Sequence, residues 1–309
     1  MKIAAYQAPY LTFGSMAAIE LIREQLAVCE SEGVEMLCCP EAVIGGLAHE
    51  ADGELPADIA LGVASGELAA TVAPLLDSPV TAIIGFTERD SAGSVFNSAA
   101  VLSEGRVAGV YRKVYPGYRT AIHAGEVLPV FHHHSTPYGI VICNDLWYVE
   151  PARVMAAAGA AIIFVPTNSG HPHEVTPSFR ARGENLPIAR AVENTTTVVV
   201  ADIAGVQGSR VAHGFSCIID PDGVVLARAE PLAEALLIAD VAPTRRPYDP
   251  RGWDGPSNPA VTLAFTNLWG RDHDLALQDA AIRSGASERF LNRGVVPMNL
   301  TQPGSADQR

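Results

Sequence analysis

Residues 139–145 constrain the fold more than any other stretch of the sequence, because a run of small and apolar residues ends there at Cys143. Residues 151–159 follow, with a proline near the start and a glycine at the end, which is typical of a short helix. Residues 161–166 form another apolar run, typical of a buried strand. This order would hold a nucleophile rigidly at the mouth of a cavity. Alternatively, Cys143 is a small buried apolar residue, the usual fate of a free cysteine.

Two more polar residues stand at the ends of predicted strands, where they could assist a nucleophile. Glu41 ends an apolar run that begins at Val34, and partial desolvation there suits a general base. Lys113 closes another predicted strand, and its charge could lower the pKa of the thiol and stabilise a tetrahedral anion. Each residue alone is more typical of a solvated strand end. The order Glu41, Lys113, Cys143, with all three at strand ends, favours a catalytic set.

Several short motifs surround these residues in a defined order. They are Pro40-Glu41, Tyr111-Arg112-Lys113, Ile142-Cys143-Asn144-Asp145 with Pro151 downstream, Ala191-Val192-Glu193-Asn194, and Gly214-Phe215-Ser216 before Asp220-Pro221-Asp222-Gly223. With these motifs, residues 1–243 resemble the nitrilase superfamily of carbon–nitrogen hydrolases, which use a Glu-Lys-Cys triad. The resemblance implies an α/β fold, a four-layer α-β-β-α sandwich, and hydrolysis of a non-peptide C–N bond through a thioester on Cys143. It implies no metal and no organic cofactor.

The resemblance also implies a role for each member of the triad. Glu41 is expected to take the thiol proton while Cys143 attacks, and Lys113 with the backbone N–H of Asn144 is expected to hold the oxyanion. True nitrilases usually carry Trp-Glu directly after the cysteine, whereas this chain has Asn144 and Asp145. We therefore expect an amidase or carbamoyl-amide hydrolase that releases ammonia or an amine from a small-molecule substrate. The alternatives are a nitrile hydrolase and a non-catalytic binding or regulatory protein of the same fold.

Further residues are expected to contact the substrate. Many members of the superfamily carry a second glutamate between the lysine and the cysteine, but residues 116–125 contain no acid, and Tyr118 occupies the matching position. We expect Tyr118 to line the pocket with a neutral hydroxyl. The alternatives are that Tyr118 faces solvent or that Glu126 is the fourth catalytic residue. Thr167 and Asn168 follow the next strand and are expected to contact substrate, unless they form an ordinary polar turn.

Composition and charge argue against several classes of partner. A net charge of −13 at pH 7 disfavours a nucleic-acid surface or an anionic membrane as partner. Apolar runs are short and no signal-peptide core is present, so we expect no membrane span. Five cysteines, an odd number without metal-like spacing, fit a reducing compartment and a cytoplasmic protein. The adjacent histidines 132–134 alternate between the two faces of a predicted strand, so we expect no metal site there.

We predict a carbon–nitrogen hydrolase domain over residues 1–243 and a C-terminal extension over residues 244–309. The extension is rich in Pro, Arg, Asp and Gly, and its last residues are expected to be disordered. The resemblance implies that it packs on a partner subunit of a homo-oligomer built on dimers. The resemblance also implies that the helix after the nucleophile strand packs against its symmetry mate, and Val154, Met155 and residues 156–158 give that helix a small apolar surface.

The remaining pattern predicts alternating helices and strands. Helices are expected over residues 15–31, with Ser15 as N-cap, over residues 55–76, and over residues 179–194 despite Pro187. Strands are expected over residues 80–86, 96–102, 106–111, 195–203, 214–219, 224–227 and 235–241.

Overall fold

The computed structural model describes residues 1–243, apart from the side chain of Arg182. The α-helices of this part are α1 (Ala18–Ser31), α2 (Glu67–Val72), α3 (Glu150–Ala157), α4 (Thr176–Gly183) and α5 (Leu186–Asn194). Its strands are β1 (Lys2–Pro9), β2 (Met36–Cys38), β3 (Leu61–Gly62), β4 (Thr81–Arg89), β5 (Val95–Ser103), β6 (Arg106–Arg112), β7 (Phe131–His133), β8 (Thr136–Ile140), β9 (Ile162–Pro166), β10 (His171–Pro172), β11 (Thr197–Ala201), β12 (Ile203–Gln207), β13 (Arg210–Ala212), β14 (Cys217–Ile219), β15 (Val225–Arg228) and β16 (Ala235–Asp240). The predicted extension over residues 244–309 lies outside the described residues.

The strands form two sheets that pack face to face. The first sheet has the order β10-β13-β12-β1-β2-β4-β5-β6, with β16 also paired to β1 and β3 to β4. The second sheet has the order β15-β14-β11-β9-β8-β7. Helices α1 and α2 cover the outer face of the first sheet, and α3 and α5 cover the outer face of the second. This arrangement confirms the predicted four-layer α-β-β-α sandwich.

Strand β1 shows why the sheets are apolar on both faces. Ile3 and Ala5 belong to the core between the two sheets, whereas Ala4 and Tyr6 belong to the core beneath α1. Successive side chains of a strand point to opposite faces of its sheet. A strand that is covered on both sides must therefore be apolar along its whole length, as is common for parallel sheets.

The strands that lead into the site run in the same direction within each sheet. Strand β2 is parallel to β4, and β6 has the same direction because two antiparallel pairings separate it from β4. In the second sheet β8, β9 and β11 are parallel. Glu41, Lys113 and Cys143 follow β2, β6 and β8, so they lie at the carboxyl ends of their strands. The N–H of Glu41 donates to Thr167 O at 3.2 Å, which joins the edges of the two sheets.

The predicted helix over residues 55–76 is wrong. This segment contains 3₁₀ turns at Pro56–Asp58 and Ala73–Leu75, strand β3, and only the short helix α2. Gly66 has φ +83° just before α2, and a proline stands at the start of each 3₁₀ turn. The Ala and Leu content favoured a helix, but a left-handed glycine and helix-starting prolines divide the segment.

The predicted helix over residues 179–194 is divided into α4 and α5. Pro187 occupies the second position of α5, where its missing N–H leaves no hydrogen bond unmade. Helix α1 begins at Ala18, and Ser15 accepts from Ala17 N at 3.3 Å without capping the helix. The other predicted strands are present with ends shifted by up to three residues, except that residues 195–203 include β11 and the first residue of β12.

Helix α3 has a smaller apolar surface than the sequence suggested. Met155 is buried within the chain, and its sulfur would lie 2.4 Å from a Cβ atom on Gly139 of β8. Val154 is half-buried, and residues 157–158 are exposed. The homo-oligomer stays a prediction. Within residues 1–243, every helix is too short or too polar to cross a membrane.

Candidate active site

Glu41 lies in a tight turn after β2 and is almost fully buried. The chain bends there because Ala42 takes a left-handed conformation with φ 45°. Gly85 of β4 packs against this turn, and its N–H donates to Pro40 O at 3.2 Å. A Cβ atom on Gly85 would lie 2.4 Å from the same oxygen, so this position requires glycine. The close approach fixes the backbone that carries the Glu41 side chain.

The two carboxylate oxygens of Glu41 have different surroundings. Oε1 accepts a hydrogen bond from the Lys113 ammonium and another from Asn97 Nδ2 at 2.7 Å. Oε2 is buried and has no hydrogen-bond partner among the described residues. Buried polar atoms are rarely left unpaired in folded proteins. Oε2 is therefore available to accept a proton from a neighbouring group.

Lys113 is buried beside Glu41, directly after β6. Its N–H donates to Asn97 O at 2.8 Å and its carbonyl accepts from Gly125 N at 2.8 Å, so its backbone is held on both sides. Burial acts to lower the pKa of Lys113, but the neighbouring carboxylates, with Glu41 first, raise that pKa overall. Lys113 therefore carries a fixed positive charge that lies against Glu41.

Asn97 is a residue at the buried end of this site that the sequence analysis missed. It lies in β5, where its side chain donates to Glu41 and its carbonyl accepts from Lys113. It thus joins the two charged residues of the site. The available signal was a pair of polar residues, Asn97 and Ser98, in an otherwise apolar buried strand.

Cys143 stands at a sharp turn between β8 and a short 3₁₀ helix. Its φ is 44°, a left-handed conformation that is strained in a residue other than glycine. The buried carboxylate of Asp145 holds this turn. It accepts from Ile142 N at 2.9 Å, from Tyr115 N at 2.8 Å and from the Tyr111 hydroxyl at 2.7 Å. The turn places the thiol at the edge of the sheet.

The Cys143 thiol is protonated at neutral pH. Burial raises its pKa, and the Glu41 carboxylate raises that pKa further. Lys113 lowers the pKa of the thiol only in part, and its own charge is paired with Glu41. The sulfur lies 3.9 Å from Asn168 O, as a weak S–H donor would. Such a thiol needs a base at the moment of attack.

Thr167 and Asn168 follow β9 and line the cavity described below. The Thr167 hydroxyl donates to Val165 O at 3.2 Å, and Asn168 Oδ1 accepts from Gly170 N at 3.2 Å. Both side-chain oxygens are thus engaged within the chain. Asn168 Nδ2 makes no hydrogen bond with the described residues, so it is the group of this pair that is open to a substrate.

A buried carboxylate, Asp202, holds the loop that contains Thr167 and Asn168. It accepts from Ser169 N at 2.9 Å, from Ser169 Oγ at 2.6 Å and from Phe215 N at 3.2 Å. Burial raises the pKa of Asp202 to about 6, although these bonds act to lower it. Asp202 therefore joins two segments of the cavity wall.

A cavity of about 370 Å³ opens above these groups. All the residues predicted for the site lie in its wall: Glu41, Lys113, Tyr118, Cys143, Asn144, Thr167 and Asn168. Asn144 Nδ2 donates to Tyr115 O at 2.9 Å, which fixes this side chain beside Cys143. Glu126 is exposed and does not line the cavity, whereas Tyr118 does. That Tyr118 takes the part of the second glutamate stays a prediction.

One side of the cavity is aromatic. The ring of Phe179 lies 4.0 Å from that of His171 in a stacked arrangement, and 5.6 Å from that of Trp147 at a steep angle. These three rings line the cavity together. They provide an apolar surface for the hydrocarbon part of a substrate.

The three adjacent histidines lie away from this site. His133 is buried and its Nδ1 lies 2.9 Å from the Thr81 hydroxyl, whereas His132 is exposed on the other face of β7. Residues 1–243 contain no group of three or more His, Cys, Asp or Glu side chains that could hold a metal ion.

An α-β-β-α sandwich with Glu, Lys and Cys side chains together at the carboxyl ends of its strands is the arrangement of the nitrilase superfamily. The chain belongs to the carbon–nitrogen hydrolase family, whose sequence profile matches residues 2–248.

Individual relatives agree with this assignment. The chain is 32% identical over 183 residues to the glutamine-dependent NAD(+) synthetase of Xanthomonas campestris pv. campestris, a match that covers 56% of this chain and 32% of that protein. The chain thus spans about a third of the length of that synthetase. It is 28% identical over 228 residues to a nitrilase of Pyrococcus abyssi, covering 72% of this chain and 81% of the nitrilase. An amidase of Nesterenkonia AN1 has the same fold, with a TM-score of 0.66 and 24% identity over 78% of this chain and 90% of the amidase.

Proposed function

We propose that this protein hydrolyses the C–N bond of a small amide or carbamoyl amide, with Cys143 as nucleophile and ammonia or an amine as the first product. One observation carries the proposal. Glu41 Oε1 is held by Lys113 and Asn97, whereas Oε2 is buried without a partner close to a protonated thiol. One carboxylate oxygen is thus fixed by hydrogen bonds and the other can still accept a proton, which suits a general base.

In the first step Cys143 attacks the amide carbon while its proton passes to Glu41 Oε2. A bond forms between sulfur and carbon, and the electron pair of the C=O bond moves to oxygen. The left-handed turn at Cys143 holds the sulfur at the edge of the cavity, so the thiol need not move far to reach the substrate. The proton transfer also removes the negative charge that raises the pKa of the thiol.

The oxyanion formed in this step needs hydrogen-bond donors. Protonation of Glu41 frees the Lys113 ammonium from its ion pair, so its positive charge becomes available as negative charge develops on the substrate. The backbone N–H of Asn144 follows the nucleophile and is the second donor. Donors that are fixed in a buried site are more effective than donors in water.

The tetrahedral intermediate then collapses to a thioester. The C–N bond breaks, and the nitrogen leaves with the proton that Glu41 received from the thiol. A water molecule next gives a proton to Glu41 and attacks the thioester carbon. The C–S bond breaks, the sulfur takes the proton back, and the carboxylic acid or carbamic acid is released.

The residues after the nucleophile favour an amide over a nitrile as substrate. Asp145 occupies the position where true nitrilases usually carry glutamate, and its carboxylate is fully engaged in the turn with Ile142, Tyr115 and Tyr111. It has no part in the chemistry. Because a thiolate also adds to a nitrile carbon, nitrile hydrolysis is the second candidate.

A matched panel of amides and nitriles tests the proposal. Acetamide, propionamide, glutamine and an N-carbamoyl amine are compared with acetonitrile and propionitrile by release of ammonia. We expect at least one amide to be cleaved at least about 10-fold faster than the nitrile of the same carbon skeleton, and Cys143→Ala to release none. Faster cleavage of the nitriles would make the protein a nitrile hydrolase. If the parent and Cys143→Ala give the same background with every compound, the protein is a binding member of the fold.

A further inference from the structure

Arg210 is a cation of the cavity wall that the reaction above does not use. It is the first residue of β13, in the hairpin that β12 and β13 form. Its side chain is only 12% exposed, and Nε donates to Asp52 Oδ2 at 2.8 Å. Nη1 lies 3.5 Å from Gly170 O. Nothing among the described residues accepts a hydrogen bond from Nη2, and Arg210 lines the cavity.

A short series of contacts joins Arg210 to the nucleophile. Gly170 O lies against the guanidinium, and Gly170 N donates to Asn168 Oδ1 at 3.2 Å. Asn168 O in turn lies 3.9 Å from the sulfur of Cys143. The guanidinium and the thiol are therefore on opposite sides of one short loop, and both line the same cavity. A molecule that fills this cavity can therefore contact both groups.

The other cations of the cavity are already paired. Lys113 forms its ion pair with Glu41, so its charge is balanced until the reaction begins. Arg180 forms an ion pair with Glu184, and its Nη1 lies 3.1 Å from His213 Nδ1. Arg210 differs because its partner, Asp52, engages Nε alone and is 44% exposed. A carboxylate that is exposed to this degree neutralises an arginine only weakly.

The histidines near Arg210 add hydrogen bonds but no charge. His49 and His171 line the cavity together with Arg210. Burial and then the nearby Arg210 charge lower the pKa of His49 to about 4, and the same two causes lower the pKa of His171. Both rings are therefore neutral at pH 7. The carboxylates of Asp52 and Glu54 also lie at this end of the cavity, where they accept hydrogen bonds from Arg210 Nε and from His49 N. The remaining donors of the guanidinium suit an anion.

A second cavity of about 190 Å³ meets the first at His49 and Arg210. It is lined by the hydroxyl-bearing Tyr10, by Asp52 and by Arg210. Arg210 thus contributes to the walls of both cavities.

We propose that Arg210 forms a subsite for a carboxylate, and that the preferred substrate is an amide whose acyl group carries a carboxylate remote from the scissile bond. The proposal rests on the proposed function, since the amide end must reach Cys143. The Nη2 and Nη1 atoms of Arg210 donate to the carboxylate, and the rings of His171 and Phe179 contact the chain between the two ends. The alternative is that Arg210 has only a structural role, in which its ion pair with Asp52 holds the edge of the cavity together.

The test compares acids with neutral amides of the same length. The monoamides of succinic, glutaric and adipic acids are paired with butyramide, valeramide and hexanamide, and kcat/KM is measured by ammonia release. We expect the best acid to exceed its neutral partner by at least about 10-fold, the value of one charge-assisted contact. Arg210→Gln should lower this ratio to near one, and Arg210→Lys should retain part of it.

Asp52→Asn is the matched control. It breaks the same ion pair but leaves the guanidinium, so the acid preference should persist or increase. If Arg210→Gln and Asp52→Asn lower the rates of both compounds of a pair equally, Arg210 only supports the rim and the proposal is wrong. An equal rate for acid and neutral amide in the parent protein overturns it as well, while the proposed hydrolysis stands.

A binding measurement separates this proposal from the proposed function. Cys143→Ala is titrated calorimetrically with succinate, glutarate and adipate, which need no turnover. We expect saturable binding of at least one diacid, lost when Arg210→Gln is added and kept when Asp52→Asn is added. Absence of any amide hydrolysis would refute the proposed reaction, and the titration would still decide on the subsite. Equal binding with and without Arg210→Gln overturns the subsite.

Discussion

The inner end and the outer wall of the cavity are built in different ways. The inner end consists of Glu41, Asn97, Lys113 and Cys143, which lie within or directly after strands of the two sheets. The outer wall consists of Tyr118, Trp147, His171, Phe179 and Arg210, which lie outside the central strands. The inner residues are thus placed by the core of the fold, and the outer ones by segments attached to it.

Different contacts hold the two regions. At the inner end, backbone hydrogen bonds join Lys113 to Asn97 and Glu41 to Thr167, all buried. In the outer wall, side chains make the connections, such as the ion pair of Arg210 and Asp52. Backbone contacts between strands do not depend on the choice of side chain, whereas the contacts of the wall do. We infer that the inner end sets the reaction and the outer wall sets the substrate.

The largest effect is expected at the inner end from Cys143→Ala. The change removes the proposed nucleophile and leaves a cavity of one atom, so hydrolysis should fall to background while stability changes by about 1 kcal/mol or less. Ammonia release and the far-UV circular dichroism spectrum report the two quantities. Loss of the spectrum together with activity would show that Cys143 is structural, and retained activity would remove it from the mechanism.

Lys113→Arg should have the next largest effect. The charge is kept, but a broad planar guanidinium replaces a compact ammonium in a buried site against Glu41. We expect kcat to fall by at least about 10²-fold, as for loss of an oxyanion donor. The value of kcat is measured for the parent and the variant by ammonia release from the best amide substrate. An arginine variant as active as the parent would mean that Lys113 is only a supporting charge.

Asp202 joins two segments of the cavity wall through Ser169 and Phe215, and Asp202→Asn tests that connection. The folded protein keeps the Asp202 proton up to about pH 6, whereas the pKa of an ordinary aspartate is 3.8. The stability that this group contributes is therefore present below pH 3.8 and is lost as the pH rises through about 6. The asparagine variant lacks this dependence.

Urea unfolding of parent and Asp202→Asn at about pH 4.5 and about pH 6.5 measures the difference. The stability of the parent relative to the variant should fall by about 2 kcal/mol between these two pH values. A difference that stays constant with pH would mean that Asp202 has an ordinary pKa in the folded protein.

Sequence alone predicted the inner end better than the outer wall, for a physical reason. Glu41, Lys113 and Cys143 each follow a short apolar run, and parallel strands bring such ends together at one edge of a sheet. Asn97 was not predicted as a site residue because it lies inside a strand, where its polarity is the only sign of a special role. Burial raises the pKa of the thiol, and the pairing of Lys113 with Glu41 depends on distances across four strands that no local pattern contains.

Most residues of the outer wall could not be predicted from the sequence, because they come from segments that are distant from one another in the chain. Arg210 stood in no recognised motif, and its approach to Asp52 and Gly170 depends on how a hairpin folds over the sheet edge. The predicted helix over residues 179–194 hid the break that separates α4, which carries Phe179, from α5. Tyr118 lies in the cavity wall, as we predicted because it occupies the position at which many members of the superfamily carry a second glutamate.

The smallest effect is expected in the outer wall from Tyr118→Phe. Loss of the hydroxyl of the half-buried Tyr118 should change kcat/KM by about three-fold or less, mainly through KM. Glu126→Gln is the matched comparison, since Glu126 is exposed and away from the cavity, and it should have no effect. If only the glutamate change lowers turnover strongly, Glu126 takes part in catalysis and the alignment of this loop is wrong.

Intact-mass spectrometry of the protein mixed with its best amide tests the assignment of Cys143 most directly. We expect a species heavier than the free protein by the mass of the acyl group, formed within the first turnovers and located on the peptide that contains Cys143. Glu41→Gln should accumulate less of it, and Cys143→Ala none. An acyl group on another residue, or rapid hydrolysis by Cys143→Ala with no adduct, would contradict the thioester mechanism.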